Sequence, residues 1–359
     1  MALFTPLTLR SITLPNRVGV APMCQYSAVD GLANDWHLVH LGARSVGGAG
    51  LVLTEATSVS PEGRISPQDL GLWNDEQIAP LARIASFVSA QGSVPGIQLA
   101  HAGRKASTKR SWDGGGRANT ADGGWSPIWA PSAVPFDDGW QEPEALDDGG
   151  LTRIADAFAA AARRAAGAGF LVAELHAAHG YLLHEFLSPL ANRRIDQYGG
   201  SLENRMRFPL RVVEAVRAAW PADRPLFVRI SATDWVEGGF VPEEAVVFSR
   251  AARERGVDLV DCSSGGMHPT ARIPLAPGYQ VPLAAKIREE ASVPTAAVGL
   301  ITRPAQAEEI VATGKADVVL LGREMLRKPH WALEASADLG SPLPGPHPYE
   351  RARPYNSVT

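Results

Sequence analysis

Short runs of aliphatic and β-branched residues recur along the chain, at 18–22, 50–55, 94–99, 171–175, 226–230, 257–262, 294–298 and 317–321. Each is followed by a longer stretch of helical period, which is the pattern of a parallel sheet assembled from βα units. Ile78, Leu81, Ala82, Ala85 and Val88 share one helical face, and Leu151, Ile154, Ala155, Phe158 and Ala162 share another. Gly167 and Gly169 follow the second stripe where a helix must stop and turn, and Gly256 and Gly314 do the same after later stripes. Eight such units predict an α/β chain closed into a single (β/α)8 TIM barrel. An open doubly wound sheet is disfavoured, because no G-x-G-x-x-G follows the first run.

A barrel takes about 250 residues, so this chain of 359 carries a surplus. The ends 1–16 and 340–359 and the segments 102–149 and 180–200 absorb nearly all of it. The expectation is one domain over 1–359. An N-terminal strand closes the barrel, 102–149 forms a cap after strand three, and the tail 340–359 extends beyond the last unit. Four of the nine tryptophans, Trp112, Trp125, Trp129 and Trp140, fall in the cap segment.

Composition narrows the function. With 45% apolar and 20% charged residues the chain has material for an ordinary buried core. Its 34 basic and 38 acidic residues include no basic block to track a phosphate backbone, so nucleic acid is not an expected partner. No apolar stretch reaches the roughly 18 residues of a membrane span, and the first 17 lack the form of a signal peptide. The expectation is a soluble cytoplasmic protein. Cys24 and Cys262 are too few for a disulfide framework or a cysteine-ligated cluster.

In such barrels the chemistry gathers at the C-terminal ends of the strands. Those ends supply Met23, Cys24, Ala56, Gln98, His101, His176, His179, Arg229, Ser263, Ser264, Gly299, Gly322 and Arg323. Gly299 and Gly322 close strands seven and eight, where backbone N–H groups bind phosphate in many barrels, and Arg323 adds charge; each glycine taken singly is equally a turn residue. His176 and His179, three apart beyond strand four, suit two N–H donors aimed at one carbonyl oxygen. They also suit a zinc pair with His101 or Cys24 as third ligand, or two structural histidines. Arg229 has no acidic residue near it before Asp234, and is either a ligand clamp or a partner of Glu174. Gln98 offers the donor and acceptor that heterocycle recognition needs. Cys24 is either a free thiol at the site or a small buried hydrophobe.

The runs APMCQY from Ala21 to Tyr26, QLAHAGRK from Gln98 to Lys105, ELHAAHGY from Glu174 to Tyr181 and NRRIDQYGGSLENR from Asn192 to Arg205 resemble the Old Yellow Enzyme family. The likeness spans nearly the whole chain, and Cys24 followed by Tyr26 is similar to the bacterial branch of NADPH dehydrogenases and xenobiotic reductases. The resemblance implies tight, noncovalent FMN and NADPH as reductant. Its flavin contacts would be Ala21, Pro22, Met23, Cys24, Ala56, Gln98, Arg229, Gly299, Gly322 and Arg323, with no metal. It further implies a ping-pong reduction of the activated C=C bond of enones, maleimides and nitro compounds: hydride from NADPH to flavin N5, then from N5 to the β-carbon. His176 and His179 would hold the carbonyl oxygen, Tyr181 would donate the proton, Cys24 would tune the flavin, and Tyr26 would touch substrate. Arg351, in Tyr349-Glu350-Arg351, would enter a neighbouring subunit's site in a homodimer or dimer-based homotetramer.

The sequence departs from the family at Ala21, where relatives often carry a hydroxyl residue, and at 297–301, which lacks the tryptophan of some xenobiotic reductases. It also continues eight residues beyond Arg351. A zinc-dependent TIM-barrel hydrolase built on His176 and His179 is the alternative reading.

Overall fold

A computed structural model describes residues 1–352. Among them, eight strands form a closed, all-parallel barrel: β1 Val18–Val20, β2 Leu51–Ser58, β3 Val94–Ala100, β4 Val172–Ala177, β5 Leu226–Ser231, β6 Leu259–Ser263, β7 Thr295–Ala297 and β8 Val318–Leu321. Every strand falls on one of the eight predicted runs and pairs with its sequence neighbours. Val319 opposite Val18 closes the ring between β8 and β1.

A main helix follows each of the first seven strands: α1 Asp35–Val46, α2 Ile78–Ala90, α3 Asp148–Gly167, α4 Leu202–Ala219, α5 Pro242–Glu254, α6 Val281–Ala291 and α7 Pro304–Ala312. The two predicted stripes are the buried faces of α2 and α3. Gly169, Gly256 and Gly314 all have positive φ at helix exits, where a Cβ would be strained.

The strands are buried on both faces, which is why they read as apolar runs rather than alternating ones. Outward residues such as Leu175, Val228, Ile230 and Val260 pack on the helices. Inward residues at the lower end, Val172, Phe227, Leu259 and Val318, form a second core. That core is plugged by Leu9 and Leu14 of the antiparallel hairpin Leu7–Leu9/Ile12–Leu14. Higher in the barrel the inward side turns polar. Gln98 and Glu174 are in register, and above them Arg229 is in register with both His176 and Asp261. An irregularity in the β2–β3 pairing between Leu53 and Ala56 brings Ala56 opposite Gln98.

Segment 102–149 holds single 3-10 turns and a two-residue parallel pairing of Trp129–Ala130 with Glu144–Ala145. No helix among the described residues is long and apolar enough to cross a membrane.

Candidate active site

The polar inner layers and the loops above them build one site at the barrel mouth. Its base is a buried charge cluster. Arg229 Nε lies 2.9 Å from Asp261 Oδ2, an ion pair off the line of a straight hydrogen bond. Gln98 Nε2 donates to Glu174 Oε1 at 2.8 Å. Arg229 therefore pairs with Asp261, and the sequence-level alternative of Glu174 as its partner is corrected: adjacent-strand register sets Asp261 beside it. Burial and then the Asp261 charge push the Glu174 carboxyl up to about 8, and burial pushes Asp261 up to about 6 against the pull of Arg229. At neutral pH Glu174 thus holds a proton, while Asp261 is ionised beside the Arg229 guanidinium.

Beside it, the end of β6 and the last three loops line a cavity of about 240 Å³ that includes Gly299, Leu300, Gly322, Arg323, Tyr279, Gln280 and Ser263. Gly299 has φ +114, and a Cβ there would stand 2.8 Å from Gln280 Nε2. At Gly322 a Cβ would meet Met23 Sδ at 3.7 Å and Ala21 Cβ at 4.0 Å, so the first strand's end borders the same space. Backbone amides at two side-chain-free positions beside an arginine suit a phosphate monoester.

His176 and His179 rise from the end of β4 with ring centroids 5.2 Å apart and planes at 89°. His176 Nδ1 accepts the Ala178 N–H at 3.3 Å. His179 has φ 59; its N–H donates to Ser231 Oγ, and its Nε2 is 2.7 Å from Ser263 Oγ. Burial and then the Arg229 charge push both imidazoles well below their usual range, so both are neutral at pH 7. The Tyr181 ring stands 4.9 Å from that of His176. Burial above all pushes the Tyr181 phenol well up, so it holds its proton.

Tyr181, Cys24 and Tyr26 pack against one apolar cluster of Ala56, Ile65, Ala100, Ala102, Ala106 and Ile128. Cys24 and Tyr26 hydrogen-bond to each other, and burial raises the Cys24 thiol. Segment 102–149 supplies several of these walls, and Trp112 meets Tyr26 edge-on at 5.8 Å. Lys105 is a residue the sequence reading gave no role. Its Nζ donates to His179 O at 2.8 Å and Gly266 O at 3.0 Å and lies 5.2 Å from the Tyr181 ring centre.

Asp261 and Gln280 also went unread. The signal for Asp261 was present: inward positions alternate as Leu259, Asp261, Ser263, and an acidic residue inside a barrel strand demands a cation. The 192–205 signature, by contrast, is a brace. Asn192 Nδ2 donates to Phe186 O and Tyr198 O, and Arg205 donates to Leu187 O, Gly200 O and Glu244. The buried His184–Asp234 pair, 3.0 Å apart, supports the turn carrying Tyr181 through the Gly180 N–H donated to His184 Nδ1.

His101 is drawn away from the histidine pair. Its ring lies against Gly63, where a Cβ would be 2.6 Å from Cδ2, and Glu62 acts on its charge. Among the described residues no group of three His, Cys, Asp or Glu side chains could hold a metal ion. Arg351 is exposed in the 3-10 turn His347–Ala352, whose Tyr349 ring lies 6.0 Å from His330. The tail residues 353–359 lie outside the described residues.

Residues 2–341 match the NADH:flavin oxidoreductase / NADH oxidase family. The chain belongs to that family. It is therefore an oxidoreductase, and the Old Yellow Enzyme resemblance is borne out. An NADPH dehydrogenase of Geobacillus thermodenitrificans (strain NG80-2) is 48% identical over 351 residues, 97% of this chain and 98% of that one. Among solved structures, morphinone reductase in complex with tetrahydroNAD is similar with TM-score 0.78 and 28% identity, over 97% of this chain and 93% of that one. The old yellow enzyme homologue from Zymomonas mobilis matches with TM-score 0.78 and 26% identity, over 96% and 94%. A 2-naphthoyl-CoA reductase shares the fold at TM-score 0.84 and 24% identity; there the match takes in 95% of this chain and 52% of the longer protein.

Proposed function

We propose that this family member is an FMN-dependent NADPH oxidoreductase that reduces the activated C=C bond of α,β-unsaturated carbonyl compounds, with maleimides and nitro compounds in the same class. The observation that carries the reading is one mouth shared by the cavity of Gly299, Gly322 and Arg323, a buried guanidinium and two histidines beside a tyrosine. FMN, when bound, would supply the two-electron hydride chemistry that links NADPH to the alkene.

The residues fit that cofactor. Gly299, Gly322 and Arg323 would hold the phosphate, and Ala21, Pro22, Met23 and Cys24 would border the ring. Ala56 and Gln98 would recognise the polar edge of the heterocycle, with Gln98 held in place by Glu174. Arg229 would offset negative charge at the ring's N1 side, and fixed inside the barrel it needs no reorganisation to do so. Cys24 keeps its proton, so it acts by contact and not as a nucleophile.

His176 and His179 would donate to the carbonyl oxygen and stabilise the charge that develops there as hydride reaches the β-carbon. Tyr181 would then give its proton to the α-carbon. Tyr26 and Trp112 would wall the substrate on the side of segment 102–149. In the proposed homodimer or dimer-based homotetramer, the exposed Arg351 would complete a neighbouring site.

Anaerobic titration tests the reading. The purified yellow protein is expected to bleach with NADPH and regain colour on adding cyclohexenone. A colourless protein that FMN cannot reconstitute, or colour that never returns, overturns it.

A further inference from the structure

His179 can donate to a substrate oxygen only from a nitrogen that carries a proton and is not already engaged. A neutral imidazole has one such N–H, and its neighbours decide which nitrogen holds it. For His176 the outcome is set within its own turn: the Ala178 N–H occupies the Nδ1 lone pair, so the proton sits on Nε2.

For His179 the decision falls to Ser263, at the end of β6. Its Oγ is 2.7 Å from His179 Nε2 and 3.4 Å from Gln280 Oε1. Gln280 Oε1 already accepts a much shorter bond, 2.6 Å, from Ser264 Oγ. The hydroxyl proton of Ser263 therefore has its better acceptor in the imidazole. The 2.7 Å separation favours the same direction, since O–H donors make shorter bonds than N–H donors, whose usual length is about 2.9–3.0 Å. Turning the Gln280 amide over leaves the result unchanged, because its NH2 would then donate to Ser263 Oγ and still send the serine proton toward His179.

We infer that Ser263 is a positioning residue that fixes His179 as the Nδ1–H tautomer, so that the carbonyl oxygen is met by Nε2–H of His176 and Nδ1–H of His179. This rests on the reading of the histidine pair as the carbonyl anchor. It also links that anchor to the cavity proposed for phosphate, since Ser263, Gln280 and Tyr279 line it and the Ser264 hydroxyl joins Gln280 to Tyr279. One hydroxyl thus ties the substrate side of the mouth to the cofactor side. The inverse arrangement, His179 donating from Nε2 to Ser263, would turn an Nδ1 lone pair toward the substrate oxygen and repel it.

The test is ¹⁵N NMR of the FMN-loaded protein with labelled histidine, which distinguishes protonated from bare ring nitrogens. His179 signals are assigned by their loss in His179→Gln. Wild-type protein is expected to show Nδ1–H at His179 and Nε2–H at His176; Nε2–H at His179 overturns the inference without any variant. In Ser263→Ala the His179 proton is expected to move to Nε2. Calorimetric affinity for 4-chlorophenol, a mimic of the anionic oxygen, should fall about tenfold, the weight of one neutral hydrogen bond. Ser263→Thr, which keeps the hydroxyl, should restore both. A Ser263→Ala protein that retains Nδ1–H refutes the role of Ser263 while leaving the anchor reading intact. A tautomer that moves with no change in phenol affinity refutes the anchor reading, and the positioning role with it.

Discussion

The cluster beneath the mouth makes a quantitative prediction through Asp261→Asn. The Arg229–Asp261 pair is buried, with side-chain exposures of 7% and 0%. Removing one partner of such a pair ordinarily costs about 3–5 kcal/mol, because the other charge is stranded in a poor solvent. Here a reserve carboxyl is at hand. Glu174 is buried nearby and is held protonated up to about pH 8 by burial and by the very charge that Asp261→Asn removes. Once Asp261 is neutral, Glu174 should ionise and serve as the counter-charge, so the single variant should lose only about 1–2 kcal/mol. Glu174→Gln should lose only about 0.5 kcal/mol, because its amide oxygen can still accept the bond from Gln98. The double variant leaves Arg229 without an anion and should lose the full 3–5 kcal/mol, a coupling of about 2 kcal/mol beyond additivity. Urea unfolding of the four proteins at pH 7, with FMN saturating and constant because a native-state ligand adds its own stabilisation, measures this cycle. Additive losses, or a single Asp261→Asn that already costs the full amount, would refute Glu174 as the reserve counter-charge.

Three further outcomes follow from the same geometry. Tyr181→Phe should slow cyclohexenone reduction at least tenfold more than flavin reduction by NADPH, and stopped-flow rates that fall equally in both half-reactions would remove it as proton donor. Arg323→Ala should weaken FMN at least tenfold, read by equilibrium dialysis, and unchanged affinity would move the phosphate elsewhere. Stability should fall as pH rises from about 6.5 to 8, because burial raises Glu174 and Glu185 to about 8 from an ordinary value of 4.5. Such acids stabilise fully below the unfolded value and lose that contribution as pH climbs through the folded one, at up to about 1.4 kcal/mol per pH unit for each proton. Glu185→Gln should flatten that decline, and a Tm constant from pH 6.5 to 8 would contradict it.

Much of the site was legible one strand at a time. Gly299, Gly322 and Arg323 were read as strand-end residues, and they line one cavity because every strand of a parallel barrel ends on the same rim. The spacing of His176, His179 and Tyr181 implied proximity, and one turn does place them together. What stayed hidden were partners on other strands. Asp261 beside Arg229, Ser263 beside His179 and Lys105 under the His179 carbonyl each join segments far apart in the chain. The most specific motif, 192–205, misleads in the other direction: its Asn192 and Arg205 spend their hydrogen bonds on backbone carbonyls and on Glu244, holding the chain that leads from Tyr181 into α4.

The sequence by itself determined the eight strands, the helices between them and the kinds of chemistry available at the rim. Those follow from short unbroken apolar runs, from local periods of 3.6 residues between them and from residue type. Only the tertiary structure decided which side chains share a proton or a charge. Ring closure and strand register are sums over many distant contacts, and inside a dry barrel a single register step determines whether Arg229 meets an acid and whether His179 meets a hydroxyl.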